Sequence, residues 1–525
     1  GEILNFCELK KKYFNHISFE SKTDTELLFK FLIKFGTSKI NELEGMFAFT
    51  LINLKLKKLI LCRDYTGIKP LYYLKNNDGI FFSSDAWFLY SISDKKLNPF
   101  ACKFFFQYGF TPKETSLIEN VNKVLPSTTM EFDFVKSQLI EKSYFLISKN
   151  KIDSKIDEKI LENKLSEIIK KNLITDTKIG VFLSGGIDST IIALLAKRFN
   201  KNIQAYTSFF TPREKFAKFN IDLNFAERVC KDFNIKLNKV EINEDDENQK
   251  DELINSIKNL DEPISNLNFF NSYLQSQNAK RDDCKVILTG DGADEIFGGY
   301  ERYKKCYIAK KFSFLGYLIP KIKKLNNVSM QRIPKYFYNY INLEQNHKLF
   351  KSSFFNEMEI AKSIDYDLPE TTDKNEIINY FDISNWLTEE SNSKLDKASM
   401  LNSIEARVPF QDKQLIQDYF NVNMNNKIDL FNLKKPLKNL KFLPKYITNR
   451  KKRGWFSPES FFLRNYLKKL FMDTFEENKI NKQRIFNFTQ IMNTYEMHNN
   501  GKYHKDKLIT ILTFQIWYDQ VINLD

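Results

Sequence analysis

Histidine is nearly absent from this 525-residue chain, and its four copies (His16, His347, His498, His504) lie outside every glycine-rich or acidic motif. That argues against a histidine general base and against a Ser-His-Asp triad. The six cysteines (Cys7, Cys62, Cys102, Cys230, Cys284, Cys306) are widely spaced and form no Cys-x-x-Cys. A zinc site and a disulfide framework are therefore not expected, and a reducing cytoplasm fits. No apolar run approaches the ~20 residues of a membrane helix; Phe312 to Pro320 is apolar but far too short. No signal-peptide pattern, internal repeat or low-complexity tail stands out.

What is present is ordinary for a globular protein, with 42% hydrophobic and 28% charged residues, so a packed core is expected. A length of 525 residues suits two domains, each large enough to bury a good core. The formal net charge of +14 could suggest nucleic acid, but the lysines are scattered along the chain among abundant Asn, Ile and Phe. We read a compositional bias and expect neither a nucleic-acid nor a membrane partner. Lys10 to Lys12 suits a solvated face, and Arg450 to Arg453 is a second local run.

Residues 1 to 147 are rich in short strand-like runs with turn signals (Leu59 to Cys62, Leu71 to Leu74, Ile80 to Ser83), which suits a sandwich. Ser148 to Lys155 is polar and lysine-rich and reads as a linker. From residue 156 to 525, apolar strands first alternate with helical stretches (Ile179 to Leu183, Ile203 to Ser208, Val240 to Ile242, Val286 to Thr289). Alternation of this kind implies βαβ units and a parallel sheet. After about residue 305 the chain reads as mostly helical.

The strand Ile179 to Leu183 runs into Ser184-Gly185-Gly186-Ile187-Asp188-Ser189 and then a helical stretch. Backbone N–H groups at such a helix start favour an anion, and two adjacent glycines let the backbone approach a phosphate. Asp188 suits a Mg²⁺ that bridges phosphate oxygens. No Gly-Lys-Ser/Thr follows, so this is not the Walker loop; it has the Ser-Gly-Gly-x-Asp-Ser form of the PP-loop, which holds pyrophosphate. A second block repeats the layout: Cys284 to Leu288, then Thr289-Gly290-Asp291-Gly292-Ala293-Asp294-Glu295-Ile296-Phe297-Gly298-Gly299-Tyr300. Three carboxylates in five residues are costly side by side unless a cation or polar substrate sits among them. Both blocks follow strands directly, so both should open onto one crevice at the carboxyl ends of a parallel sheet.

These blocks, with Leu260-Asp261-Glu262-Pro263, Ser403-Ile404-Glu405-Ala406-Arg407-Val408-Pro409-Phe410, Leu443-Pro444 and Arg450-Lys451-Lys452-Arg453-Gly454, resemble glutamine-dependent asparagine synthetases. So do Gly1-Glu2-Ile3-Leu4-Asn5, Asp24-Thr25-Glu26, Gly45-Met46-Phe47-Ala48-Phe49 and Arg63-Asp64-Tyr65-Thr66-Gly67-Ile68-Lys69-Pro70-Leu71-Tyr72-Tyr73 at the front. The resemblance runs nearly end to end. It implies an α/β protein: an N-terminal Ntn-hydrolase αββα glutaminase sandwich, followed by a parallel-sheet PP-loop ATP pyrophosphatase domain of the adenine nucleotide alpha hydrolase type. It also implies glutamine hydrolysis in the first domain. In the second, ATP would adenylate the aspartate side chain and ammonia would displace AMP, with Mg²⁺ as cofactor and a homodimer as the expected assembly.

Carried over by motif, the resemblance assigns pyrophosphate to Ser184, Gly185, Gly186, Asp188 and Ser189. Nucleotide contacts fall to Phe182, Ser208, Thr289 and Gly290, metal ligation to Asp188 and Asp294, and phosphate contact to Lys452. Asp291 takes the acid–base role, and Gly1, Glu2 and Asp24 take glutamine binding. Two departures stand out. The family's nucleophile is a cysteine at the mature N-terminus, whereas this sequence opens on Gly1 inside the family's Asn-Gly-Glu motif. The expectation is a chain seen without its front part, which as written should not hydrolyse glutamine. The second departure is Asp291 where asparagine synthetases carry Glu, a reach shorter by roughly 1.5 Å. Relatives that amidate other carboxylates, for example in polysaccharide assembly, show Asp there, so another acceptor is the alternative. A catalytically silent, nucleotide-binding paralogue is a further alternative. For Glu405 and Arg407 a structural ion pair and a substrate role stay equally open. Asp261 and Glu262 read as the start of a turn, and Tyr300, Tyr303 and Trp455 as packing.

Overall fold

The structure, a computed structural model, describes residues 1–148, 151–243, 245–361, 367–451 and 457–524. In the first domain the strands are β1 (Glu2–Ile3), β2 (Gly45–Met46), β3 (Ala48–Asn53), β4 (Lys58–Arg63), β5 (Tyr72–Asn76), β6 (Gly79–Ser83), β7 (Val121–Lys123), β8 (Thr128–Asp133) and β9 (Gln138–Ser143). They form antiparallel sheets in the orders β1-β2, β3-β4-β8-β9 and β6-β5-β7. The period of two along β4 decides how they stack. Leu59 and Leu61 join Leu71, Val124 and Met130 between the two larger sheets. Cys62, on the opposite face, packs with Leu9, Leu27 and Phe31 from the helices Phe6–Tyr13 and Asp24–Phe35. The other face of the β6-β5-β7 sheet carries Tyr72, Leu74 and Val121, which pack on the helices Ala86–Ser91 and Pro99–Tyr108. Helix, sheet, sheet and helix thus stack in layers, the sandwich expected from the sequence.

The second domain is built on one all-parallel sheet of β10 (Lys178–Phe182), β11 (Gln204–Phe210), β12 (Lys236–Ile242), β13 (Cys284–Leu288) and β14 (Glu405–Arg407). Its order is β12-β11-β10-β13-β14. The chain winds outward from β10 to β12, then returns to place β13 on the other side of β10. The boundary between β10 and β13 is therefore a topological switch point, where a crevice opens at the strands' carboxyl ends. β10 is buried on both faces and reads as a continuous apolar run, as a central parallel strand must. Gly180 is needed at its centre, because a Cβ there would lie 2.7 Å from the Tyr206 ring. β14 was not expected from the sequence; three residues are too few for a period to show.

Between β13 and β14 the chain is helical, including Asp382–Asn392, a wide-turned stretch of the i→i+5 type that continues into the helix Ser393–Met400. Such wide turns recur at functional positions. The domains share a core: Phe105 and Phe106 from the front pack with Phe514 of the helix Lys505–Ile522, the Phe106 and Phe514 rings lying 4.9 Å apart. Buried ion pairs also cross between them. Lys123 Nζ lies 2.7 Å from Glu389 and 2.9 Å from Glu262, and Lys69 lies 2.7 Å from Asp396. Breaking one member of such a pair costs about 3–5 kcal/mol, because the other charge is left buried and alone. Asp261 and Glu262 are buried at this contact, which is more than a turn start: Asp261 pairs with Lys397 at 3.0 Å. Among the described residues no helix is long and apolar enough to cross a membrane.

Candidate active site

β10 ends at Phe182, and the chain turns through Ser184, Gly185 and Gly186 into the helix Ile187–Phe199. Gly185 adopts φ +64°, and a Cβ there would meet the Ala226 backbone nitrogen at 2.7 Å, so glycine is required on both counts. Gly186 is the N-cap and no side chain caps the helix, which leaves first-turn N–H groups directed at the crevice. Ser189 Oγ braces the loop from inside, accepting from Ser184 N–H at 3.2 Å and donating to Gly186 O at 3.3 Å. Arg450 closes it from outside: it donates to Gly185 O at 2.6 Å and pairs with Asp222.

The second block meets the first. Thr289 continues β13 and donates its N–H to Arg407 O at 2.9 Å. Gly290 then passes so close to the helix start that a Cβ would sit 2.9 Å from Asp188 Cβ and 3.1 Å from Ser189 N. Thr289 Oγ1 is buried with no hydrogen-bond partner among the described residues, the kind of orphaned polar atom that a ligand satisfies. Asp188 and Asp294, 106 positions apart in sequence, both reach the Nζ of Lys434, Asp294 at 2.5 Å. Lys434 is buried, and burial works against its charge, yet the two carboxylates hold it above the ordinary lysine range. Two carboxylates converging on one cation are also a donor set that fits Mg²⁺, which takes one or two carboxylates plus phosphate oxygens.

Lys434 was not anticipated from the sequence. Its backbone sits at φ 51°, in a turn that nothing in the motif pattern announces, and the hint would have been a lysine ahead of Lys435-Pro436 with no other use. Beside it Glu295 is buried, with Tyr300 Oη donating to Oε1 at 2.7 Å; burial, with the Asp294 charge, pushes its carboxyl up to about 8. Tyr300 and Tyr303 thus do more than pack, since Tyr303 Oη also donates to Asp382.

Asp291 stands in the same loop and accepts from Ser391 Oγ at 3.1 Å. Ser208 lies on β11, two residues beyond Tyr206, which pairs with Phe182, and accepts from Gln275 at 2.9 Å. Lys452 and Trp455 lie outside the described residues. At the front, Asp24 accepts from Ile3 N–H at 2.8 Å, Gly1 lies against the Met46–Phe47 backbone, and Glu2 lies 3.5 Å from Arg407 Nη2. Burial raises the Glu2 carboxyl and Arg407 opposes that rise. Arg407 also bonds Glu405 at 2.8 Å and the carbonyls of Asn172 and Ile174, so for Glu405 and Arg407 the geometry favours the structural ion pair. A small cavity of about 10 Å³, lined by Gly45, Met46 and Ile68 on one side and Val408, Pro409 and Gln411 on the other, lies between the two domains.

The profile described as asparagine synthase matches residues 161–519, and that described as glutamine amidotransferase domain matches residues 1–145. Asparagine synthetase [glutamine-hydrolyzing] 1 of Bacillus subtilis (strain 168) is 26% identical over 560 aligned positions, covering 100% of this chain and 85% of that protein. Asparagine synthetase [glutamine-hydrolyzing] 3 of the same organism is 24% identical, covering 86% of this chain and 74% of its own length.

Proposed function

Because the chain belongs to the asparagine synthase family, we propose that it uses ATP to activate a carboxylate as an acyl adenylate. Ammonia then displaces AMP to give an amide, with aspartate the acceptor and asparagine the product. The observation that carries this reading is the meeting of Asp188, Asp294 and Lys434 beside the glycine loop at the switch point. A carboxylate is a poor electrophile until a good leaving group is attached. Adenylation supplies one, and expels pyrophosphate whose charge must be offset. The loop Ser184–Ser189 would hold that pyrophosphate with backbone N–H groups and the Ser184 and Ser189 hydroxyls. Lys434, already charged, would offset phosphate charge directly. Asp188 and Asp294 would hold Mg²⁺, which would supply Lewis-acid stabilisation of the phosphate charge. Phe182, Ser208, Thr289 and Gly290 would line the nucleotide, and Lys452 would add a phosphate contact. Asp291 would take the proton that ammonia must lose as it attacks. Gly1, Glu2 and Asp24 would serve a glutamine site in the first domain, residues 1–147. Ammonia from that side would pass to the second domain, residues 156–525.

The specific reason to keep a second acceptor in view is Asp291. Its shorter side chain leaves room at the acceptor, which would suit a carboxylate other than aspartate. One experiment separates the two: pyrophosphate release from ATP with Mg²⁺ and ammonium, with and without aspartate. Aspartate-dependent release together with asparagine is the expected result. Release that ignores aspartate in a folded, ATP-binding protein would overturn the assignment of aspartate and leave another carboxylate as substrate.

A further inference from the structure

The segment Arg63–Tyr73 of the first domain has no part in the chemistry above, yet it reaches the second domain's acid loop. Asp64 is fully buried and accepts from the N–H groups of Thr66 at 3.2 Å, Ile68 at 2.9 Å and Lys69 at 2.9 Å. Arg63 holds the same turn from the other side, donating to the carbonyls of Gly67 and Lys69, both at 2.9 Å. This turn is thereby a rigid body, and it presents the Thr66 carbonyl outward. Two side chains of the second domain donate to it: Thr388 Oγ1 and Asn392 Nδ2, each at 3.1 Å. Asn392 in turn makes a reciprocal amide pair with Gln411, its Nδ2 donating to Gln411 Oε1 at 2.9 Å and its Oδ1 accepting from Gln411 Nε2 at 2.7 Å. The amide orientation follows from the bonding, since a carbonyl only accepts and Asn392 must turn its NH₂ to Thr66. Asn392 and Gln411 are both 1% exposed, and a reciprocal amide pair so buried holds its members stiffly.

The far end of this network is the loop of Asp291. Gly292, at φ +98°, runs against Gln411 so closely that a Cβ there would stand 2.5 Å from Gln411 Cγ. Ser391, the neighbour of Asn392 on the same wide-turned helical stretch, donates to Asp291 Oδ1 at 3.1 Å. Two routes therefore run from one turn of the first domain to one carboxylate of the second. One passes through Asn392, Gln411 and the Gly292 backbone, the other through Asn392 and Ser391.

We propose that Ser391, Asn392 and Gln411 are positioning residues that form a relay, through which the Asp64–Lys69 turn of the first domain sets the placement of Asp291. The significance of that placement for catalysis rests on the acid–base role proposed above for Asp291; the relay itself does not. Coupling is reciprocal, so loosening the amide pair should loosen both ends. The test is amide hydrogen exchange on the full chain, comparing wild type with Gln411→Met and Asn392→Leu, which keep the volume and remove the amides. Exchange at Asp291, Gly292 and Ala293, and at Ile68 and Lys69, is expected to accelerate by about tenfold through easier local opening, while Val181 to Leu183 on β10 stays unchanged. Unchanged exchange at both ends in a folded variant overturns the relay. Ser391→Ala, a smaller change, serves if either amide variant fails to fold. It should accelerate exchange at the Asp291 loop alone, and its failure to do so would also overturn the relay. Ammonium-dependent pyrophosphate release on the same variants separates the two claims. The relay and the acid–base role together lower kcat by about tenfold to a hundredfold, as misplacement of a reacting group does, with KM for ATP unchanged. Accelerated exchange with kcat untouched upholds the relay and refutes the role given to Asp291.

Discussion

Lys434 and Lys427 lie seven residues apart in one domain, both fully enclosed, and their surroundings are opposite. Lys434 sits between Asp188 and Asp294 and stays charged. Lys427 donates to Phe420 O at 2.8 Å, and Lys151 donates to the same carbonyl at 2.9 Å; no carboxylate pairs with either among the described residues. Burial, with the neighbouring Lys151, pushes Lys427 well below the lysine range, and burial takes Lys151 down to about 7 despite the distant Glu376 and Asp373. The same side chain is thus held cationic between two carboxylates beside the glycine loop and pushed toward the neutral form where it meets the Phe420 carbonyl with no carboxylate beside it among the described residues. The difference teaches that buried lysine by itself marks nothing; a pair of carboxylates beside a glycine loop does.

The largest expected effect breaks the charged case. Lys434→Met should lower ammonium-dependent pyrophosphate release by about 10²–10³-fold, the scale for losing one electrostatic stabiliser, and loss of its buried ion pairs with Asp188 and Asp294 should destabilise the fold by about 3 kcal/mol. Steady-state kinetics and a urea titration check both. Next in size is Gly290→Ala, which leaves every charge in place but puts a Cβ against Asp188 and Ser189. ATP affinity measured by calorimetry should fall by about tenfold, and an unchanged affinity would show that the close approach is not part of the nucleotide cradle.

The neutral case is read through pH. Lys151 binds its proton in the unfolded chain up to about 10.5 but in the folded protein only below about 7. Between those values unfolding takes up a proton, so Lys151 makes stability rise as pH rises from 7 toward 10.5. Urea midpoints at pH 7, 8 and 9 should climb less steeply in Lys151→Met than in wild type; identical slopes would mean Lys151 is charged in the fold. The smallest effect is Lys427→Met, for which stability should be unchanged or higher by about 1 kcal/mol and pyrophosphate release unaltered. A large loss of activity would erase the distinction between the two lysines.

Much of this architecture was legible in the sequence. The strand–glycine–acid layout appears twice because both blocks end neighbouring parallel strands, and β10 and β13 end within a residue of where the apolar runs stop. Asp188 and Asp294 were paired by the family resemblance, and the fold brings both to Lys434. Lys434 was not legible, since its contact with Asp188 spans 246 residues and depends on a positive-φ turn. Asn392 and Gln411 were illegible too: Asn392 lies on a wide-turned helical stretch with no 3.6-residue period to read and donates to a backbone carbonyl of the other domain, and the Gln411 amide is paired with that of Asn392. In the front part, Glu2 reads as a motif residue, while in the fold it faces Arg407 of the second domain.

The account stands most directly on Asp188. Pyrophosphate release from ATP with Mg²⁺, ammonium and aspartate should vanish in Asp188→Asn while the thermal midpoint and circular dichroism stay near wild type. Near-normal release by a folded Asp188→Asn protein would contradict the assignment of the glycine loop and its two aspartates as the nucleotide site.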